Sequence, residues 1–198
     1  EIDALVNIDF KTRIINNKIK SLNIIRLGTS GSLNKNIDID SYVVSEYVIG
    51  FDGLAHFYKE KDICTEELED IFINHTNWKN IHARPYAVRA SKNLLKKFNN
   101  FKKGITLTAT GFYGPQSREL RLKSSIKNIH TTIQKLNYKN LEITNFEMET
   151  SALYFLGKSL GHNVLTICAI LGNRLKQEYS QDSIKTIDNL IIAVLNKL

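Results

Sequence analysis

The sequence predicts an α/β layered domain, and three observations carry that reading. Short runs of β-branched and aromatic residues alternate along the chain with segments whose apolar residues recur at three- and four-residue steps. The stretch Val164-Leu165-Thr166-Ile167-Cys168-Ala169-Ile170-Leu171 is almost continuously apolar, as a strand buried on both faces requires. The 198 residues are 42% hydrophobic and 24% charged, enough to bury one core, so a single domain over residues 1–198 is expected.

In chain order, Ile2, Leu5, Val6 and Ile8 predict the end of a helix. Residues 22–27 predict a short strand that runs out into a turn, Gly28-Thr29-Ser30-Gly31-Ser32. Residues 42–49 are β-branched and aromatic and predict a second strand, closed by Gly50 and the Asp52-Gly53 turn signal. Residues 58–84 mix charges without a sustained period, so a surface excursion with a short helix is expected there. A helix over 90–98 should bury Leu94, Leu95 and Phe98, and a third strand should cover 105–109. Ile126, Ile129, Ile133 and Leu136 again lie at helical spacing. A strand over 141–146 and a helix over 150–160 lead into the buried strand. The closing helix is expected to hold Ile184, Ile187, Ile191, Val194, Leu195 and Leu198 on one stripe.

Composition narrows the function classes. No apolar run is long enough to span a bilayer, and no basic-then-apolar leader opens the chain, so a soluble, cytoplasmic protein is expected. Two cysteines, Cys64 and Cys168, imply no disulfide framework and suit a reducing compartment. The net charge of +7 is scattered, with Lys96-Lys97 and Lys102-Lys103 set near a helix end, which points to a solvated surface rather than a nucleic-acid groove. The five histidines form no zinc spacing with the cysteines, and no Gly-x-Ser-x-Gly elbow is present, so neither a metal site nor a serine hydrolase is expected. The one methionine is Met148 and residue 1 is Glu, so the chain reads as a piece of something longer.

Four segments carry candidate chemistry. Phe112-Tyr113-Gly114-Pro115-Gln116-Ser117-Arg118 brings a ring, a carboxamide and a guanidinium together after the third strand. A planar amide-bearing heterocycle needs those three groups: a face to stack on, a group that both donates and accepts, and a fixed donor fork. The same segment also reads as an ordinary strand exit whose polar groups cap a turn. Arg26-Leu27-Gly28-Thr29-Ser30-Gly31-Ser32 can aim amides, hydroxyls and a cation at an anion, or can simply be a tight turn; it is not a Walker loop. Glu147-Met148-Glu149 sets two carboxylates about a methionine at a strand-to-helix junction. There they serve either a helix dipole or a sugar diol. Gly172-Asn173-Arg174 adds a second guanidinium at a strand end, or a surface arginine on a turn. All four fall at strand ends, where α/β sheets hold ligands.

In this order, Arg-Leu-Gly-Thr-Ser-Gly, Phe-Tyr-x-x-Gln-x-Arg, Glu-Met-Glu and Asn-Arg, the chain resembles the uridine phosphorylases of nucleoside phosphorylase family I. The similarity runs over essentially all 198 residues, and the excursion after Tyr58 matches poorly. The resemblance implies a three-layer α/β/α domain around a mixed sheet, with the first strands and an upstream Gly-Asp-Pro-x-Arg phosphate motif missing. It implies phosphorolysis of uridine to uracil and ribose 1-phosphate, with inorganic phosphate as co-substrate and no cofactor or metal. Arg26, Gly28 and Thr29 would bind phosphate; Thr29, Met148 and Glu149 the ribose; Phe112, Gln116, Arg118 and Arg174 the base. Arg26, Glu149 and Arg118 would be the catalytic groups. Purine-specific relatives carry a Ser-Asp pair after the last core strand, where Gly172-Asn173-Arg174 stands here, which argues for a pyrimidine. A dimer-based homo-oligomer, possibly a hexamer, is implied as well. The rival expectations are a purine phosphorylase or nucleosidase on the same fold, and a non-catalytic nucleoside-binding fragment.

Overall fold

Burial of the β-branched runs organises the chain around one mixed sheet. The computed structural model describes residues 1–60 and 62–198. The chain opens with helix α1 (Ile2–Asn7) and a small hairpin, β1 (Ile8–Asp9) and β2 (Ile14–Ile15). Strands β3 (Asn23–Ser32) and β4 (Tyr42–Gly50) precede helix α2 (Glu66–Thr76), strand β5 (Tyr86–Arg89) and helix α3 (Lys92–Lys97). Then come β6 (Lys102–Thr108), the short α4 (Ile129–Thr132), β7 (Asn137–Tyr138) and β8 (Leu141–Glu147). Helix α5 (Thr150–Ser159), β9 (Asn163–Asn173), β10 (Glu178–Tyr179) and α6 (Ser183–Leu195) complete the chain.

The sheet runs β10-β9-β3-β8-β6-β4-β5, with β7 paired to β8. Parallel pairs (β3 with β9, β4 with β6, β6 with β8) mix with antiparallel ones (β3 with β8, β4 with β5, β9 with β10). Tyr42, Val43 and Val44 of β4 also pair antiparallel with Ala169, Cys168 and Ile167 of β9, so β3, β8, β6, β4 and β9 close into a ring. Among the described residues, β3 has a second neighbour only at Gly31 and Ser32, which leaves its edge open along residues 23–30.

Helices cover both faces, giving three layers. On one side Leu94 and Leu95 of α3, Tyr154 and Phe155 of α5, and Leu190 and Val194 of α6 pack with Val44, Val48, Val164, Leu165 and Ile167. On the other, Leu68 and Phe72 of α2 with Ile129 of α4 pack against Ile49, Ile105, Leu107 and Phe146. Each fully buried side chain of this size contributes about 1.5–3 kcal/mol. Tyr154 satisfies its buried hydroxyl by donating to the Ser45 carbonyl at 2.7 Å and accepting from the Thr166 amide at 2.8 Å, which ties α5 to β4 and β9.

The mixed α/β reading holds, and several boundaries move. Gly28 to Ser32 is no turn: β3 stays extended through them, in register with β9 as far as Ser32 opposite Asn173. Pairing with a long neighbour overrides the low strand preference of glycine and serine. The excursion over 58–84 contains α2, whose Leu68 and Phe72 are wholly buried, and β5 follows it. The helix expected through residues 126–136 is reduced to α4 and a 3-10 turn at Ile133–Lys135, because Asn128 takes a left-handed φ of 55°. Ile129, Ile133 and Leu136 are buried nonetheless. Lys102 and Lys103 begin β6 rather than end a helix. On α6 the buried line is Thr186, Leu190 and Val194, while Ile184, Ile191, Leu195 and Leu198 face outward. That helix is apolar on two sides, so spacing alone does not choose the inner one.

Candidate active site

Three strand ends and one loop converge on a cavity of about 410 Å³. Arg26, Thr29, Ser30 and Gly31 come from β3; Phe146, Glu147, Met148 and Glu149 from the β8–α5 junction; Leu171 and Gly172 from β9; Tyr179 from β10. Phe112, Gln116 and Arg118 enter from the loop after β6, which makes a 3-10 turn at Gly114–Gln116 with proline at its start. Opposite Ser30 and Gly31 the β9 register jumps from Ile170 to Gly172, a bulge that turns Leu171 into the cavity wall.

At one end stands Arg26. It pairs with Glu149, and its Nη1 lies 3.3 Å from Oε2 of Glu147. A Cβ at position 28 would overlap the Arg26 guanidinium, so Gly28 is the slot over which that side chain folds. Gly28 itself does not line the cavity. Because the segment is a strand, side chains rather than turn amides supply the donors here: Arg26, Thr29 and Ser30.

The two carboxylates diverge. Glu147 is buried and points inward, where Oε2 accepts from the amides of Glu149 (3.0 Å) and Thr150 (2.9 Å) and from the Thr150 hydroxyl (2.7 Å), while Oε1 accepts from the Thr108 hydroxyl. It thereby supplies acceptors to free amides at the start of α5. Glu149 is 60% exposed and projects into the cavity beside Met148.

At the other end Arg118 lies with its guanidinium carbon 4.0 Å from the centre of the Phe112 ring, a cation–π contact. Burial lowers the Arg118 pKa, and its Nε is a buried donor without a partner. Gln116 is held from behind: Arg174 Nη2 donates to its Oε1 at 3.0 Å and Nη1 to its backbone carbonyl at 2.9 Å. Arg174 therefore stands outside the lining, and burial with the Arg118 charge nearby lowers its pKa to about 10. Asn173 fixes the turn that aims it, donating to the carbonyls of Asn34 and Ile37 and accepting from the amides of Leu175 and Lys176.

A polar ladder crosses the sheet beneath this site. Ser45 and Thr106 hydroxyls lie 2.6 Å apart, Thr106 donates to Asn145 at 3.0 Å, and Asn145 donates to Ser30 at 2.9 Å. Buried polar groups satisfied in a chain stiffen the strands that carry them. Sequence reasoning passed over Phe146, Leu171, Tyr179 and His130 as members or supports of this site. Their signal is tertiary, apart from Phe146, which adjoins the Glu-Met-Glu segment. Cys168 lies under Arg26 but is buried, which pushes its thiol up to about 12 and keeps it unreactive. Among the described residues no group of three or more His, Cys, Asp or Glu side chains is arranged to hold a metal, and no helix is long and apolar enough to cross a membrane.

Known proteins resemble the chain in sequence and in fold. A uridine phosphorylase of Haemophilus influenzae is 21% identical over 175 residues, covering 86% of this chain and 62% of that protein. A uridine phosphorylase of Thermococcus kodakarensis is 21% identical over 160 residues, covering 79% and 50%. The chain thus spans little more than half the length of these relatives. A crystal structure of a Trypanosoma brucei nucleoside phosphorylase that shows uridine phosphorylase activity superposes with a TM-score of 0.81 at 23% identity, over all of this chain and 73% of that one. Isoform 2 of the Schistosoma mansoni uridine phosphorylase gives 0.56 at 22%, over 87% and 57%. The pattern of the Phosphorylase superfamily matches residues 6–196, and with its mixed sheet and strand-end cavity the chain belongs to that superfamily.

Proposed function

We propose that this chain carries the nucleoside-binding part of a uridine phosphorylase, which cleaves uridine with inorganic phosphate to uracil and ribose 1-phosphate. The observation that supports this most is the polarity of one cavity: Arg26 and Glu149 at one end, Gln116 and Arg118 at the other. In the proposed pose phosphate meets Arg26, Thr29 and Ser30, displacing Glu149 from its ion pair. The freed carboxylate accepts the ribose 2′- and 3′-hydroxyls, and Met148 packs on the sugar.

Chemistry follows from charge. A phosphate oxygen attacks C1′ as the C1′–N1 bond breaks, and the bonding electrons leave with the base. Negative charge grows on the uracil carbonyls, where Arg118 and the Gln116 amide donate, and solvent then protonates N1. Both donors sit in a partly desolvated wall, so they act on the transition state with little reorganisation. The proposed reaction needs phosphate as co-substrate and neither metal nor cofactor. Its proposed setting is the cytoplasm, in a homo-oligomer built from dimers, in pyrimidine nucleoside salvage.

One observation favours a second reading. Among the described residues Arg26 is the one cation lining the anion end, and it faces two carboxylates. A chain that binds nucleoside without phosphorolysis fits that balance. Incubating the full chain with uridine, inosine and an adenosine thioether, with and without phosphate, separates the readings. Phosphate-dependent release of uracil from uridine alone is expected. Release of a purine base, or release without phosphate, would replace the reaction. Calorimetric uridine binding with no product would favour the second reading.

A further inference from the structure

Behind Gln116 lies a second layer of contacts that the proposed chemistry does not use directly. Arg174 spans three acceptors there. Its Nη1 and Nη2 reach the Gln116 carbonyl and Oε1, and Nη1 also lies 2.8 Å from Nε2 and 3.1 Å from Nδ1 of the His130 ring. Ser117, between Gln116 and Arg118, is held at a left-handed φ of 55°. Among the described residues no carboxylate forms a salt bridge with Arg174. A half-buried guanidinium without an anion depends on neutral acceptors to fix its direction.

The consequence falls on Gln116. Its side chain has an acceptor end and a donor end, and either can face a ligand. With Oε1 taken by Arg174, the amide nitrogen is the end left for the cavity. We propose that His130 is a positioning residue for base recognition: it accepts from Arg174, which holds the Gln116 carboxamide so that its nitrogen meets a heterocycle bearing a carbonyl. The inference rests on the pyrimidine reading above and deepens it. With position 4 of the ring turned to that nitrogen, the uracil carbonyl finds a donor and the cytosine amino group finds donor against donor. The groups facing His130 agree: burial first and then the Arg174 charge, with a smaller push from Arg118, lower its pKa to about 4. The imidazole is therefore neutral and free to accept across the physiological range.

The test uses the full chain as wild type, His130→Gln and His130→Leu, with thermal unfolding recorded for each. Uracil and cytosine affinities are measured by calorimetry, and the Gln116 side-chain amide and Arg174 guanidinium resonances by NMR. His130→Leu is expected to weaken uracil binding about tenfold, the loss of roughly one hydrogen bond to a charged group, with little change for cytosine. His130→Gln, which keeps an acceptor, should stay within about threefold of wild type. Equal uracil affinity in all three proteins, or parallel losses for uracil and cytosine, would overturn the inference. Wild-type protein that binds no uracil would defeat the pyrimidine reading instead. The clamp is then judged by NMR alone: slowed guanidinium exchange kept in His130→Gln and lost in His130→Leu supports it, and exchange unchanged by either rejects it. Should His130→Leu not fold, Arg174→Lys serves, since an ammonium keeps the charge without bridging Gln116 and His130.

Discussion

At the scale of single residues the cavity assigns distinct work to groups of the same type. Arg26 and Glu149 neutralise each other at one end of the cavity, while Glu147, two residues earlier, spends its oxygens on the amides of Glu149 and Thr150 and the hydroxyls of Thr108 and Thr150. Arg118 stacks on the Phe112 ring and keeps a buried donor unpaired, whereas Arg174 uses its donors on Gln116 and His130. Arg118→Ala is therefore expected to lower kcat/KM for uridine about 10–100-fold, the range of one charge-assisted hydrogen bond. Steady-state phosphorolysis at saturating phosphate measures it, and wild-type turnover would remove Arg118 from the mechanism. Gly28→Ala should push the Arg26 guanidinium off its slot. Its expected signature is a raised KM for phosphate with uridine binding kept, read by initial rates and calorimetry.

His130 adds a pH dependence whose sign is fixed. Its folded pKa lies near 4, below the ordinary 6.5, because burial and Arg174 disfavour the cation. The unfolded chain therefore binds a proton that the folded chain refuses between those values. Stability should be fully present above pH 6.5 and decline as pH falls toward 4. The ring is partly exposed, so the loss is of order 1–2 kcal/mol after allowance for solvent screening. Denaturant melts at pH 7 and pH 4.5 should show a smaller difference in His130→Gln than in wild type.

At the scale of elements, the β8–α5 junction and α6 were legible to different degrees. The strand over 141–146 and the helix over 150–160 are read correctly to within a residue, because apolar spacing and the Glu-Met-Glu punctuation agree there. Glu147→Ala is expected to cost about 3–5 kcal/mol, since it strips acceptors from the start of α5 and leaves Arg26 short of a partner. The melting temperature reports it, and a loss under about 1 kcal/mol would show that water replaces the carboxylate. For α6 the apolar residues were legible, and of the expected stripe only Val194 is buried. Leu190→Ala should cost about 2–5 kcal/mol, whereas Ile192→Ala, on the outward side, should stay within about 0.5 kcal/mol. Chemical denaturation of both variants checks the orientation.

At the scale of the whole molecule, ring closure through β4 and β9 brings residues of distant sequence to one cavity. The same closure leaves β3 open on one edge along residues 23–30, among the described residues. An open central edge is a template for further strand pairing. The 198-residue chain is expected to associate reversibly across the micromolar-to-millimolar range, as sedimentation velocity would show. A monodisperse monomer throughout would mean that the edge is shielded. The net charge of +7 does not oppose this, since its lysines are dispersed and salt screens them.

Residue chemistry and periodicity determined, without coordinates, that the chain alternates strands and helices and that four short segments bear ligand chemistry. Those are local properties: a strand's apolar run and an arginine's donor fork are carried by neighbours in sequence. Which carboxylate projects into the cavity and which side of α6 is buried were settled only by packing. The same holds for the strand through Gly28 and for the support Gln116 draws from a histidine fourteen positions on. Each depends on contacts between strands far apart in the chain, where burial and pairing outweigh local preference.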